Sequence, residues 1–232
     1  MAGVALVNYD FREYPDRELM MMNVADRVAS QLRQALKNDD RASLAVPGGT
    51  TPGPIFDTLS GVDLHWDRID VMLTDERWVA EDSPRSNTRL LRERLLVDQA
   101  AAARLVPLYG GTATPEGSIA GLAEAVEALL PLSVVVLGMG DDMHTASLFP
   151  EADLLDEALG AQAPTLLPMR APGAPEPRIT MSARVLNGAM SKHLVITGAA
   201  KREALERAAK LNDGRQAPVS AVLRDMTVHW AE

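Results

Sequence analysis

The sequence predicts an α/β protein in which a mainly parallel sheet is covered by helices. Short aliphatic and β-branched runs alternate along the chain with longer segments of helical periodicity. Several of those runs are apolar without interruption, as strands buried on both faces must be. The length of 232 residues fits one large domain over residues 1–232 better than two small ones. A chain of that size buries roughly 70–75% of its unfolded surface, so its core needs no covalent staple.

The elements follow in order. Val4 to Val7 reads as an opening strand. From Asp16 to Lys37, Met21, Ala25, Val28, Leu32 and Leu36 recur at helical spacing and predict one long amphipathic helix. Ser43 to Val46 is a short strand closed by Pro47-Gly48-Gly49-Thr50-Thr51-Pro52. Thr51 is a good N-cap, and Pro52 a good first residue, for a short helix through Leu59. Ile69 to Leu73 is the next strand, with Thr74-Asp75-Glu76-Arg77-Trp78 leaving its carboxyl end. Ser86 or Asn87 caps a helix carrying Leu90, Leu91, Leu95 and Leu96. Thr114-Pro115 opens another, with Ile119, Leu122, Val126 and Leu129 or Leu130 on its apolar face. Ser133 to Leu137 is a buried strand. Ala163 to Arg178 holds five prolines and predicts a loop or lid. Ile179 to Val185 suits a strand on the sheet edge. Leu194 to Thr197 is a buried strand, Gly198 to Lys210 a helix, and Val219 to Leu223 with Thr227 to Trp230 close the fold.

Bulk properties narrow the function. A net charge of −9 argues against nucleic acid or an anionic membrane as partner. It leaves anionic small molecules open, since a site can be locally basic. Zero cysteines exclude disulfides and thiolate chemistry. The N-terminus lacks a basic-then-apolar leader, and no apolar run reaches membrane-spanning length. The expectation is a cytoplasmic protein with no obligate protein partner.

The stretch from Ser133 to Pro150 organises the chemistry. Its strand ends in Gly138-Met139-Gly140, followed at once by Asp141, Asp142 and His144. Carboxylates beside an imidazole at the carboxyl end of a central strand suit a reactive site. A tight turn whose Asp and Thr side chains cap the next helix fits the same residues. Likewise, Gly48 and Gly49 lie between a strand and a helix N-terminus. That geometry seats a phosphate, or is an ordinary glycine turn. In a parallel sheet the loops leaving the carboxyl ends converge. Here they hold Gly48-Gly49-Thr50, Asp75 with Arg77, Asp142 with His144, and Lys201. This convergence favours an enzyme acting on an anionic substrate.

Several motifs fail. Gly138-x-Gly140 begins a dinucleotide fingerprint, but the third glycine position is Met143. No Gly-Lys-Ser/Thr follows either glycine loop, and no G-x-S-x-G elbow or cysteine nucleophile exists. His65, His144, His193 and His229 show no zinc-ligand spacing. We expect no metal and no cofactor, and read His65, His193 and His229 as structural or exposed.

Five segments, VPGGTTP (Val46 to Pro52), TDERWVAEDSPRSN (Thr74 to Asn87), LGMGDDMHTASLFP (Leu137 to Pro150), RITMSARVLN (Arg178 to Asn187) and TGAAKREAL (Thr197 to Leu205), resemble the 6-phosphogluconolactonases. That family shares a sugar-phosphate superfamily with glucosamine-6-phosphate deaminase. The resemblance implies a Rossmann-like three-layer αβα fold and metal-independent hydrolysis of a small phosphorylated sugar lactone in the oxidative pentose phosphate pathway. It implies His144 as general base and Asp142 as the acid that orients it. Gly48, Gly49 and Thr50 would hold the phosphate, with Arg77 and Lys201 supplying charge and Asn87 and Arg178 joining the binding set. The family pattern usually has glycine where this chain has Met143. If that backbone takes φ > 0, methionine is costly there. The chemistry is coherent, since a δ-lactone is an activated ester that needs a modest base and support for its oxyanion.

Two other functions compete. An aldose–ketose isomerase or amino-sugar deaminase would use Asp75 as its base, but the deaminase N-E-P acid is replaced by Phe149 before Pro150. A non-catalytic sugar-phosphate sensor would need a DNA-binding segment, for which the chain has no spare length.

Overall fold

The computed structural model describes residues 8–232, so the strand expected at Val4 to Val7 lies outside the described residues. The first strand among them, β1 (Asp10–Glu13), is followed by α1 (Arg17–Asn38), β2 (Ala42–Val46), α2 (Gly53–Ser60), β3 (Ile69–Leu73) and β4 (Asp75–Arg77). Then come α3 (Asn87–Arg94), β5 (Arg104–Leu105), α4 (Ile119–Glu127), β6 (Val134–Leu137), α5 (Leu155–Leu159) and β7 (Leu166–Met169). The chain ends with β8 (Arg178–Met181), α6 (Ala183–Asn187), β9 (Ser191–Thr197), α7 (Ala199–Leu211) and β10 (Thr227–Ala231).

A seven-stranded sheet runs in the order β1-β10-β9-β6-β2-β3-β5, and its neighbours all pair in parallel. Helices flank it, giving the α/β class the sequence predicts. The centre is covered on both faces: β2, β3 and β6 are buried at every residue, Ser43 bonding Ser133 and Asp70 pairing with Arg41 and Arg104. Helix α1 starts because the Asp16 carboxylate accepts the Leu19 N–H at 2.7 Å. It buries Met20, Val24, Val28 and Leu32 completely and packs on α2, β2, β6 and β10. Burial of each large side chain stabilises the fold by about 1.5–3 kcal/mol.

From β2 the chain winds outward to β3 and β5, then returns to β6 on the other side of β2. The order therefore reverses between β2 and β6. Their carboxyl ends open the crevice where open α/β sheets bind ligands.

Five local expectations are corrected. Thr51 does not cap α2, which begins at Gly53 with Pro52 as a flanking residue that makes no side-chain bond. The helix expected from Thr114-Pro115 starts as a 3-10 turn, Pro115–Gly117, and becomes α4 only at Ile119. Val219 to Leu223 forms no strand; most of it lies in a 3-10 turn, Pro218–Ala221. The proline-rich stretch is not all loop, and Ile179 is not at the edge of the large sheet. Instead β4, β8 and β7 form a second, antiparallel sheet with β8 in the middle. Pro168 is tolerated in β7 because that strand is an edge and its missing N–H need not pair.

His193 and His229 are buried, as structural histidines, whereas His65 is exposed. Gln31 Oε1 accepts from His193 Nε2 at 2.7 Å. His193 Nδ1 then accepts from His229 Nε2 at 3.0 Å, and His229 Nδ1 from the Tyr14 hydroxyl at 2.8 Å. Both rings are neutral in this chain of bonds. Burial pushes His193 down to about 4 and His229 down to about 3. In the unfolded chain both protonate near 6.5, so stability is intact above that pH and falls as pH drops toward 4 and then 3. At pH 5 the loss is about 2 kcal/mol per histidine. A urea midpoint that stays constant between pH 7 and pH 5 contradicts this expectation.

Candidate active site

The loops leaving β2, β3 and β6 and the N-terminal end of α7 enclose a cleft of about 410 Å³. Gly48, Gly49, Thr50, Asp75, Arg77, Asn87, His144, Arg178 and Lys201 all line it. Asp142 stands behind His144. Every site residue expected from the sequence is thus drawn to one place.

The His144 side is built from the turn after β6. Asp142 Oδ1 accepts from His144 Nδ1 at 2.5 Å and from the His144 backbone N–H at 3.2 Å. Burial alone would raise the Asp142 pKa, but its bonds to His144 outweigh that and hold the carboxyl below its usual range. Among the described residues nothing bonds His144 Nε2. The turn leaves no room for a side chain at Gly140, where a Cβ would lie 2.1 Å from His144 Nδ1. Met143 has φ +65, the left-handed region where glycine is at ease. Its N–H donates to Gly140 O at 3.1 Å and its carbonyl accepts from Val219 N at 3.0 Å. The methionine therefore adopts the turn conformation and carries a strain of about 1–2 kcal/mol. Phe149 packs on the imidazole with centroids 4.3 Å apart.

The cationic side is built from β4 and β8. Side chains alternate along a strand, so Asp75 and Arg77 share the cleft face and Glu76 points away. Arg77 pairs directly opposite Arg178 in the antiparallel register. Like charges in that relation repel. Neither Arg77 Nε nor Arg178 Nε, both buried, has a hydrogen-bond partner. Burial lowers the Arg178 pKa and the nearby Asp75 opposes that; the guanidinium stays charged at neutral pH. The pair forms an electropositive wall, of which Arg178 is partly balanced by Asp75 at 3.7 Å. Arg77 Nη1 also donates to Asn87 Oδ1 at 2.9 Å, and Gly48 approaches so closely that a Cβ would lie 2.1 Å from the Asn87 side chain. Lys201 is less free. Its Nζ donates to Met139 O at 2.6 Å and pairs with Asp141 at 3.1 Å, tying α7 to the β6 turn.

Sequence reasoning missed Glu76. Its carboxylate is fully buried and accepts from the N–H groups of Arg77, Asn87 and Thr88 at 2.7, 2.8 and 2.7 Å. A carboxylate at the start of α3 suits the helix dipole, and it fixes the backbones of Arg77 and Asn87. No local signal marks it, because apart from Arg77 its partners lie 10–12 residues downstream.

Comparison with known proteins agrees with this geometry. The family described as glucosamine-6-phosphate isomerases/6-phosphogluconolactonase matches residues 15–230. The chain is 43% identical to the 6-phosphogluconolactonase of Mesorhizobium japonicum, covering 97% of this chain and 96% of that one. It is 44% identical to that of Pseudomonas aeruginosa, over 89% and 88%. The crystal structure of a 6-phosphogluconolactonase from Shewanella baltica superposes with a TM-score of 0.95 at 33% identity, over 98% of this chain and 100% of that one. With its cleft at the β2/β6 switch point and relatives matched over nearly their full length, the chain belongs to the glucosamine-6-phosphate isomerase/6-phosphogluconolactonase family.

Proposed function

We propose that this chain hydrolyses 6-phospho-D-glucono-1,5-lactone to 6-phosphogluconate in the oxidative pentose phosphate pathway. The observation that carries the reading is the placement of the His144–Asp142 pair and the Arg77–Arg178 pair on one cleft. One supplies a base and the other a seat for a dianion. The reading takes residues 1–232 as one lactonase domain, cytoplasmic and acting on a small molecule without a macromolecular partner. No helix among the described residues is long and apolar enough to cross a membrane.

The reaction follows from the residues. The phosphate sits against Gly48, Gly49 and Thr50, where φ +85 at Gly49 turns the backbone, and against Arg77, Arg178, Asn87 and Lys201. That remote binding orients the ring. His144 donates Nδ1–H to Asp142, which leaves Nε2 to take a proton from water as the water oxygen attacks the lactone carbonyl. The imidazolium so formed is stabilised by the ionised Asp142. The tetrahedral oxyanion then collapses, the carbonyl-to-ring-oxygen bond breaks, and Nε2–H returns the proton to the departing ring oxygen. The product is an open-chain hydroxy acid. Every proton has a carrier in this scheme, and no metal ion is required.

Freshly generated 6-phosphogluconolactone should release acid with the protein far faster than alone, and EDTA should leave that rate unchanged. An ammonia-releasing or isomerising activity without acid release overturns the lactonase reading. Loss of turnover in EDTA, restored by zinc or magnesium, overturns the metal-free mechanism.

A further inference from the structure

Ser147 lies three residues beyond His144 on the same loop and is fully buried. Its hydroxyl donates to Asp75 Oδ2 at 2.6 Å. Its backbone N–H donates to Thr180 Oγ1 at 3.2 Å, and Thr180 is the cross-strand partner of Asp75. The loop that carries the base is therefore bonded once to Asp75 on β4 and once to its cross-strand partner Thr180 on β8. Ala146 between them is held at φ +49, and Thr145 Oγ1 donates to Gly138 O at 2.8 Å. The separation of His144 and Asp75 is fixed by this short segment.

Asp75 is itself almost fully buried, yet it lines the cleft. Oδ2 is occupied by Ser147, with Arg178 Nη1 3.7 Å away. Oδ1 has the Thr74 hydroxyl at 3.3 Å, a long bond that leaves acceptor capacity on that oxygen. A carboxylate that lines the cleft and keeps acceptor capacity on one oxygen can accept from a hydroxyl of a polyhydroxylated ligand. Because Asp75 is tied to the loop of the base, the hydroxyl it meets is near the reacting carbon.

We infer that Ser147 is a positioning residue for Asp75, and that Asp75 so held accepts the hydroxyl on the carbon next to the lactone carbonyl. The inference rests on the lactonase activity proposed above and adds to it a determinant of sugar specificity. Ser147 acts only through Asp75, and Asp75 acts only on a substrate that has the hydroxyl.

A double-mutant cycle tests both statements. Ser147→Ala, Asp75→Asn and the double variant are assayed on 6-phosphogluconolactone and on its 2-deoxy analogue. Ser147→Ala should lower kcat/KM on the full substrate by about 10-fold in the wild-type background and by less than about 2-fold in Asp75→Asn. The wild type should hydrolyse the 2-deoxy lactone at least about 10-fold less efficiently, and there the Ser147→Ala penalty should shrink below about 2-fold. The same Ser147→Ala penalty in both backgrounds, or on both lactones, overturns the inference and makes the serine a packing residue. Should Ser147→Ala fail to fold, Asp75→Asn alone decides the second statement: an equal loss on both lactones overturns it. A wild-type protein inert toward both lactones would instead refute the activity itself.

Discussion

His144→Asn should lower kcat by about 10²–10⁴-fold, the range that general-base catalysis contributes. Asparagine keeps a polar side chain that can still bond Asp142, so the turn after β6 has no reason to open. It cannot take a proton from water at the position of Nε2. Substrate binding should change little, because Arg77, Arg178 and the glycine loop lie on other strands. Spontaneous lactone hydrolysis accelerates with pH and must be subtracted. Thr145 and Ser147 serve as controls on the same loop. Thr145 is spent on Gly138 O and Ser147 on Asp75, so alanine at either should cost far less than asparagine at His144. A His144→Asn enzyme with near-normal kcat means that the histidine only supports the loop and that Asp75 is the next candidate base.

The parts of this fold that are legible in the sequence are those where burial dictates residue type over several positions. Strands β2, β3, β6 and β9 announce themselves because a strand covered on both faces is mostly aliphatic; their buried polar side chains, Ser43, Asp70 and His193, are each bonded inside the fold. Helix α1 does so because its apolar positions and its Asp16 cap agree. The small sheet escapes that logic. Its strand β4 is Asp-Glu-Arg and β7 is interrupted by Pro168; β8 reads as a strand from Ile179, but nothing local shows that it pairs outside the large sheet or that helix follows from Ala183. Site residues at the ends of buried strands are legible for the same reason as the strands themselves. What each one touches is not. Lys201 falls in the cleft as expected, yet its tie to Met139 and Asp141 depends on the path of the β6 turn. Glu76 acts on the start of α3, which the turn after β4 brings back beside it, and Ser147 acts on Asp75, 72 residues away in sequence. Met143 is the reverse case: the sequence flags the cost, and the positive φ locates it.

Arg77→Ala and Arg178→Ala should each reduce kcat/KM on the phosphorylated lactone by about 10- to 150-fold, the loss of one charge-assisted contact of about 1.5–3 kcal/mol. Hydrolysis of an unphosphorylated lactone should be nearly unaffected. The reasoning starts from the register, which sets the two arginines opposite each other with a buried unpartnered Nε on each. Two guanidiniums held side by side repel without ligand and are relieved by a dianion that bonds both. Each also makes native contacts, Arg77 with Arg85 O and Asn87 and Arg178 with Asp75, so relief of the repulsion is offset and thermal stability should fall modestly, while inorganic phosphate should stabilise the wild type more than either variant. Lys201→Ala separates clamp from scaffold. Its Nζ also holds Met139 O, so its loss should weaken the phosphorylated substrate and slow the unphosphorylated one too. Were Arg77→Ala and Arg178→Ala to lose equally on both lactones, the pair would be serving the reacting carbonyl, and the phosphate would have to be held by the glycine loop, Asn87 and Lys201 alone.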